Sequence, residues 1–335
     1  MTVHIWGLPA PVWALGLPLA ALLLDLMLGD PKNWPHPVRL VGLAVDSVNK
    51  LIRKAPRGLY GILGSVGVVV LVTGTGAVAL LLCWLPWAGP VLALYLGFAG
   101  LALGCLLGEG RRVAAALSIG DDEVARRAVG YLVSRDTENM DRHAMSRALA
   151  ESMSENLNDG LVAPYFYLAL GSMAGPWWGV GMLWAYKAAS TLDSMWGYRT
   201  PEYARLGWAA ARLDDVLAWL PARITALAIL CVARIQGLGR DMGFFRLLQA
   251  TARDARRMES PNAGWPMAAS AWAMGATMGG PTVYFGQTKD KPRLGPVDKD
   301  WDQDRILGLL RLVRASGVIS ALAMCGVAAV VLFVV

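Results

Sequence analysis

Residues 59–85 read LYGILGSVGVVVLVTGTGAVALLLCWL, with no charged side chain anywhere in the run. About 20 consecutive apolar residues suffice for a helix to cross the hydrocarbon core of a bilayer. The stretch therefore predicts a transmembrane helix, and its glycines would let neighbouring helices approach closely. Working outward, Pro86 separates it from a second uncharged run at 87–107, with Trp84 and Trp87 at the boundary where interfacial anchors belong. Residues 8–28 carry one charge, Asp25, and residues 315–335 carry none. Four spans follow, at about 8–28, 59–85, 87–107 and 315–335. A cleaved signal peptide is not expected at the start, because MTVHIW lacks Lys and Arg and no small-x-small site precedes Gly29.

The bulk composition agrees. Of 335 residues 56% are hydrophobic and 17% charged, against about 25% charged in soluble domains. Mean hydropathy is +0.44. The net charge is +6, and its placement sets a topology. Lys32, Arg39, Lys50, Arg53, Lys54 and Arg57 outnumber Asp30 and Asp46 in residues 29–58. The excess of positive charge on cytoplasmic loops puts this loop inside and the N-terminus outside. Two further spans return the chain to the cytoplasm at Gly108, before Arg111 and Arg112. Arg311 and Arg314 hold the inner end of the last span, so the C-terminus is expected outside.

Three apolar stretches are less regular. Residues 161–186 are interrupted by Gly and Pro between Gly171 and Gly181, as in a broken hairpin or re-entrant segment. Residues 216–235 contain Pro221 and Arg223, and an Arg at that depth is expected to face a polar cavity or a carboxylate such as Asp214 or Asp215. Residues 264–281, rich in Gly, Ala and Met, suit a helix or a re-entrant segment. No strand pattern and no repeat stand out. The expected fold is a single all-α, polytopic membrane-embedded domain over 1–335.

Against this background polar stretches are conspicuous. In residues 134–160, SRDTENMDRHAMSRALAESMSENLNDG, the carboxylates Glu151, Glu155 and Asp159 recur every four residues. On a helix they stack on one face, where like charges repel. A divalent cation or a cationic substrate would reverse that penalty; a solvated face balanced by Arg142 and Arg147 is the alternative. Residues 29–39 present Asp30, His36 and Arg39 from a turn stiffened by three prolines. Lys187, Thr191 and Ser194 share a helix face that suits a phosphate group, or Lys187 snorkels to the interface. Asp214 and Asp215 point in different directions, so one is expected to serve a site and the other to pair with Arg212 or Arg223. Arg253 and Arg257, one turn apart, form a clamp for an anion, and the Pro-Asn-x-Gly turn at 261–264 implies a tight backbone approach.

Other chemistries are excluded. No Gly-x-x-x-x-Gly-Lys-Ser/Thr loop and no Gly-x-Ser-x-Gly elbow is present. His4, His36 and His143 lack zinc spacing. The four cysteines form no Cys-x-x-Cys pair and lie in apolar surroundings. No nucleic-acid module is present, and the basic loops read as topology signals. The residues alone describe a membrane protein whose inner face gathers carboxylates, arginines and a lysine, a set suited to Mg²⁺–phosphate chemistry.

These stretches resemble the CobD/CbiB family of adenosylcobinamide-phosphate synthases. The resemblance rests on GDPxxxPHPVRLVG at 29–42, SRDT at 134–137, ESxxENxxDG at 151–160, TLDSMxGY at 191–198, GWAAARLDD at 207–215, SPNAGWP at 260–266 and GGPxxYFG at 279–286. It implies ATP-dependent joining of adenosylcobyric acid to an amino alcohol phosphate, usually (R)-1-amino-2-propanol O-2-phosphate, in cobalamin biosynthesis. It further implies location in the cell inner membrane, and other late cobalamin-pathway enzymes as partners. Carried to this chain, Glu151, Glu155 or Asp159 would hold Mg²⁺ on ATP, and Lys187, Thr191, Ser194, Arg253, Arg257 and Asn262 would face the nucleotide. Asp136 or Asp193 would accept the ammonium proton. Asp30, His36, Arg39, Arg135, Asn156, Tyr198, Arg212 and Asp214 would contact substrate. The chain departs from the family pattern at Leu157, where Thr is usual, and at Ser190, where Asn is usual. A Mg²⁺-dependent membrane prenyl- or phospho-transferase and a non-enzymatic scaffold are the rival expectations.

Overall fold

The computed structural model describes residues 4–5, 8–30, 34, 36–133, 135–175, 177–197, 203–284 and 286–334. In chain order these form β1 (His4–Ile5), β2 (Leu8–Pro9), α1 (Ala10–Leu28), α2 (Pro37–Ile52), α3 (Tyr60–Cys83), α4 (Gly89–Ala99) and α5 (Leu103–Ile119). They continue as α6 (Asp122–Gly130), α7 (Arg142–Leu157), α8 (Ala163–Ala174), α9 (Trp178–Trp196), α10 (Trp208–Leu217) and α11 (Trp219–Ile235). The remainder is α12 (Phe244–Ala255), α13 (Gly264–Met274), β3 (Met278–Tyr284), β4 (Gln287–Leu294) and α14 (Gln303–Val334). The protein is an all-α polytopic membrane protein. Four helical stretches are long and apolar enough to cross a bilayer, Pro11–Leu28, Arg57–Cys83, Gly89–Ile119 and Gln303–Phe333.

Two span boundaries differ from expectation. The third runs past Gly108 to Ile119 and is interrupted between Ala99 and Leu103, where Gly100 packs against the Leu183 side chain so closely that a Cβ would lie 2.5 Å from it. The last begins at Gln303, well before 315. Asp302 receives the Arg305 amide at 2.8 Å, and Arg311 and Arg314 are carried inside the helix. Charges bound the apolar window; they do not stop a helix.

The contacts divide the chain into two compact units. One comprises Met1–Ala102, Ala163–Ala218 and Ala321–Val335. Here α3 packs on α9 and α8 on α9. A Cβ on Gly76 would lie 2.9 Å from the Gly181 carbonyl oxygen, so small residues set the α3–α9 distance. The chain turns after Gly175, so that α8 and α9 pack against one another. Trp184 donates its indole N–H to the Leu96 carbonyl at 3.1 Å.

The other unit comprises Leu103–Val162 and Trp219–Ser320. Its core includes α7, which is buried on most of its circumference, and α13, which packs against α7, α11 and α12. Residues 264–281 are not one helix. α13 ends at Met274 on Gly275, left-handed at φ +64°, and the chain enters β3. β3 and β4 form an antiparallel hairpin that the sequence reading did not anticipate.

Candidate functional site

The polar stretch at 135–160 is built around Glu151, which is 1% exposed. A buried carboxylate is tolerated only when it is paired and hydrogen-bonded. Arg135 Nη2 donates to Glu151 Oε2 at 2.6 Å, and the Gly279 amide donates to Oε1 at 2.7 Å. Glu151 thus ties α7 to the loop before it and to β3. Gly279 is required there: its φ is +80°, and a Cβ would sit 2.0 Å from the Pro292 carbonyl oxygen. Asp136 fastens the same hairpin twice. Its amide donates to the Val283 carbonyl at 3.1 Å, and its Oδ2 accepts from the Gly286 amide at 2.7 Å.

The carboxylate ladder is broken above Glu155. α7 ends at Leu157, and residues 158–162 form a π turn, a rare geometry that recurs at functional sites. Asn158 donates to Asp159 Oδ1 at 2.7 Å and accepts from the buried Thr225 hydroxyl at 3.1 Å. Burial pushes the Glu155 carboxyl up to about 7. The charges of Asp159 and Glu151 add to the rise, and those of Lys291 and Arg135 oppose it. Asn156 is turned back on its own helix, donating to the Ser152 carbonyl at 2.9 Å.

Two clefts border the hairpin. One, of about 780 Å³, is lined by Arg135, Asp136, Thr137, Asn139, Arg147 and Thr282 among others. The second, of about 730 Å³, gathers Arg253, Arg257, Lys291 and Arg293. Asp254, which the sequence reading passed over, organises its wall. It is 2% exposed and accepts from the Trp272 indole at 2.8 Å, the Gly295 amide at 3.0 Å and Arg253 at 3.1 Å. Arg257 donates to the Arg293 carbonyl at 3.3 Å, so the clamp expected from Arg253 and Arg257 is partly engaged within the protein. Lys291 donates to the Tyr284 hydroxyl at 2.7 Å. Asn262 serves a different purpose. It accepts from Arg223 at 3.0 Å, and that guanidinium lies over the rings of Trp219 and Trp265 at 4.3 and 4.8 Å. An amide, a carbonyl and two indoles thus meet Arg223, which was expected to face a cavity or a carboxylate. The tight approach at 261–264 is present: a Cβ on Gly264 would lie 2.7 Å from the Ala255 carbonyl oxygen.

The other predicted residues belong to the first unit. Asp30 and His36 approach at 3.5 Å, and His36 Nδ1 accepts the Val38 amide at the start of α2, leaving Nε2 to face Asp30. Arg39 is exposed on the first turn of that helix. On α9 the Thr191 hydroxyl donates to the Lys187 carbonyl at 2.7 Å and the Ser194 hydroxyl to the Ser190 carbonyl at 2.9 Å. Both donors are thereby turned along the helix, which leaves only their acceptor lone pairs for a ligand. Asp193 closes the same helix, its carbonyl accepting the Gly197 amide at 2.7 Å. Arg212 pairs with Asp215 at 3.2 Å. Tyr198 lies outside the described residues.

Among the described residues no three His, Cys, Asp or Glu side chains are grouped to hold a metal ion. Glu151 is occupied by Arg135 and Gly279. The negative charge of Asp159 raises the Glu155 carboxyl, a repulsion that a divalent cation would relieve. One or two carboxylates completed by phosphate oxygens and water is the usual Mg²⁺ set, so these residues fit Mg²⁺ on a phosphate-bearing substrate and do not form a protein-only metal site.

Residues 18–313 match the family described as CobD/Cbib protein. Among curated relatives, "Cobalamin biosynthesis protein CobD" of Pelobacter propionicus is 39% identical over 301 residues, covering 88% of this chain and 90% of that one. The protein of the same name from Geobacter metallireducens is 38% identical over 300 residues, 88% and 91% of the two chains. That of Listeria monocytogenes serovar 1/2a is 33% identical over 308 residues, 90% and 94%. No solved structure matches the chain.

Proposed function

The chain belongs to the CobD/CbiB family, and from that membership we propose that it acts in cobalamin biosynthesis as an ATP-dependent amide synthase. Its substrates on this reading are adenosylcobyric acid and (R)-1-amino-2-propanol O-2-phosphate or a related amino alcohol phosphate; its product is adenosylcobinamide phosphate. The observation that carries the reading is that one unit holds both kinds of charge, with the Lys291 ammonium of the hairpin acting on the Glu155 carboxyl. The Glu155–Asp159 pair supplies negative charge, and the Arg253–Arg257–Lys291–Arg293 cleft supplies positive charge.

Bound Mg²⁺ would neutralise phosphate charge as the γ-phosphoryl group of ATP moves to the corrinoid carboxylate. The amine then attacks the acyl phosphate, and inorganic phosphate leaves. Glu155 and Asp159 hold the cation on this account, Arg253 and Arg257 hold phosphate oxygens, and Glu151 keeps Arg135 and β3 in place. Asp136 or Asp193 is the proposed proton acceptor for the ammonium group. Asp30, His36, Arg39, Lys187, Thr191, Ser194, Arg212 and Asp214 are proposed to contact substrate or nucleotide. We place the protein in the cell inner membrane, with both termini outside and the polar segments cytoplasmic, where ATP is available.

The test is direct. Detergent-purified protein is incubated with adenosylcobyric acid, aminopropanol phosphate and Mg-ATP. Amide product with stoichiometric ADP is expected; neither product nor ADP would sink the synthase reading. Turnover of a lipid substrate without ATP would point to the transferase instead.

A further inference from the structure

Arg147 stands on α7, one turn before Glu151, where the sequence reading treats it only as a counter-charge. The structure gives it a different setting. It lines the 780 Å³ cleft together with Thr137, Asn139 and Thr282. Its Nε is buried and finds no hydrogen-bond partner among the described residues. A desolvated guanidinium donor left unsatisfied is costly, and such groups are rare unless a ligand completes them.

A second observation points to the same place. Gly280, at φ +86°, faces a small space that a side chain would fill. A Cβ built there would lie 3.8 Å from Arg147 Nη1 and 3.9 Å from Arg293 Nε. Two guanidinium groups therefore approach one spot from different elements, over a backbone that presents no side chain. Arg293 has Asp298 as an ion-pair partner at 2.8 Å; Arg147 has no carboxylate within ion-pair distance among the described residues.

We propose that Arg147, assisted by Arg293, clamps a phosphate group of a substrate over Gly280. The planar guanidinium fork matches two phosphate oxygens at once. Thr137, Asn139 and Thr282 supply further polar groups along the cleft wall. The inference deepens the synthase reading and rests on it for the bearer of the phosphate, ATP or the amino alcohol phosphate. Anionic lipid headgroups share the chemistry.

Binding is measured without turnover, by calorimetric titration of the full-length protein in detergent. The probes are metal-free ATP, ethanolamine phosphate and short-chain phosphatidylglycerol, with acetate as the carboxylate control. Saturable binding of ATP or ethanolamine phosphate is expected. Arg147→Gln should weaken it by about tenfold or more, the usual loss for a charge-assisted hydrogen bond, with Arg147→Lys intermediate. The probe that loses affinity identifies the bearer. The proposal is overturned if wild type binds neither soluble phosphate, if only the phospholipid or acetate responds to the substitution, or if Arg147→Gln binds as wild type does. Should Arg147→Gln fail to fold, Arg293→Gln, at a side chain 54% exposed, carries the test; a several-fold loss is expected and no loss overturns it. A protein that binds phosphate through Arg147 yet makes no amide would refute the synthase reading alone.

Discussion

Glu151 and Glu155 lie one turn apart on α7 and have opposite fates. Glu151 is held in place by Arg135 and the Gly279 amide. Replacing it with Ala leaves Arg135, 8% exposed, as an unpaired buried charge. A loss of about 3–5 kcal/mol is expected, typical of breaking a buried pair by removing one partner, and is read as a lowered thermal midpoint in detergent. Glu155 is partly accessible at its edge, yet its surroundings push it up to about 7. Because the folded form holds its proton more tightly than the unfolded chain, this group's contribution favours the fold most at low pH. That contribution is lost as pH rises from about 4.5 to about 7. Glu155→Gln should therefore flatten the stability profile across that window and stabilise the cation-free protein at pH 8. The same variant should lose activity at limiting Mg²⁺. Full activity under those conditions would remove Glu155 from the metal role. Asp254→Ala deprives three donors of their acceptor, at about 1–3 kcal/mol for a group left unsatisfied. Its expected signature is a lowered thermal midpoint together with weakened phosphate binding.

The decisive elements are the π turn at 158–162 and the β3–β4 hairpin. A four-residue carboxylate spacing reads as an unbroken ladder on an α-helix, but the turn re-aims Asp159. The hairpin was invisible because Met278–Tyr284 is Gly- and Pro-bearing and Gln287–Leu294 carries Lys289, Asp290, Lys291 and Arg293, so neither alternates apolar and polar residues. Its register is held from outside, by Asp136 and Glu151 on backbone amides. Gly279→Ala, forced to φ +80° with its Cβ against the Pro292 carbonyl, should displace β3 and open the chain to proteolysis near 280. A protease-resistant, fully active variant would mean the hairpin does not order the site. Of the residues at the hairpin, Glu151 is marked by its four-residue carboxylate spacing and Asp136 by the SRDT motif. Asp254, Lys291 and Arg147 lacked any spacing signal that set them apart from ordinary charged residues.

At the scale of the molecule, the spans follow from contiguous apolar runs and the protein should remain with the membrane after alkaline carbonate extraction. Charge placement sets the proposed sidedness. A reporter fused after Gly160 is expected to report the cytoplasm, and an external signal would overturn that assignment.

The sequence by itself determined the four membrane spans, the all-α class and the family, because transfer of apolar side chains into lipid sums over neighbours along the chain and motifs are contiguous letters. Only the tertiary structure decided which carboxylate is an ion-paired strut and which is a perturbed acid. That choice depends on partners far apart in the chain, Gly279 meeting Glu151 across 128 positions, and on burial that exists only once the elements have packed.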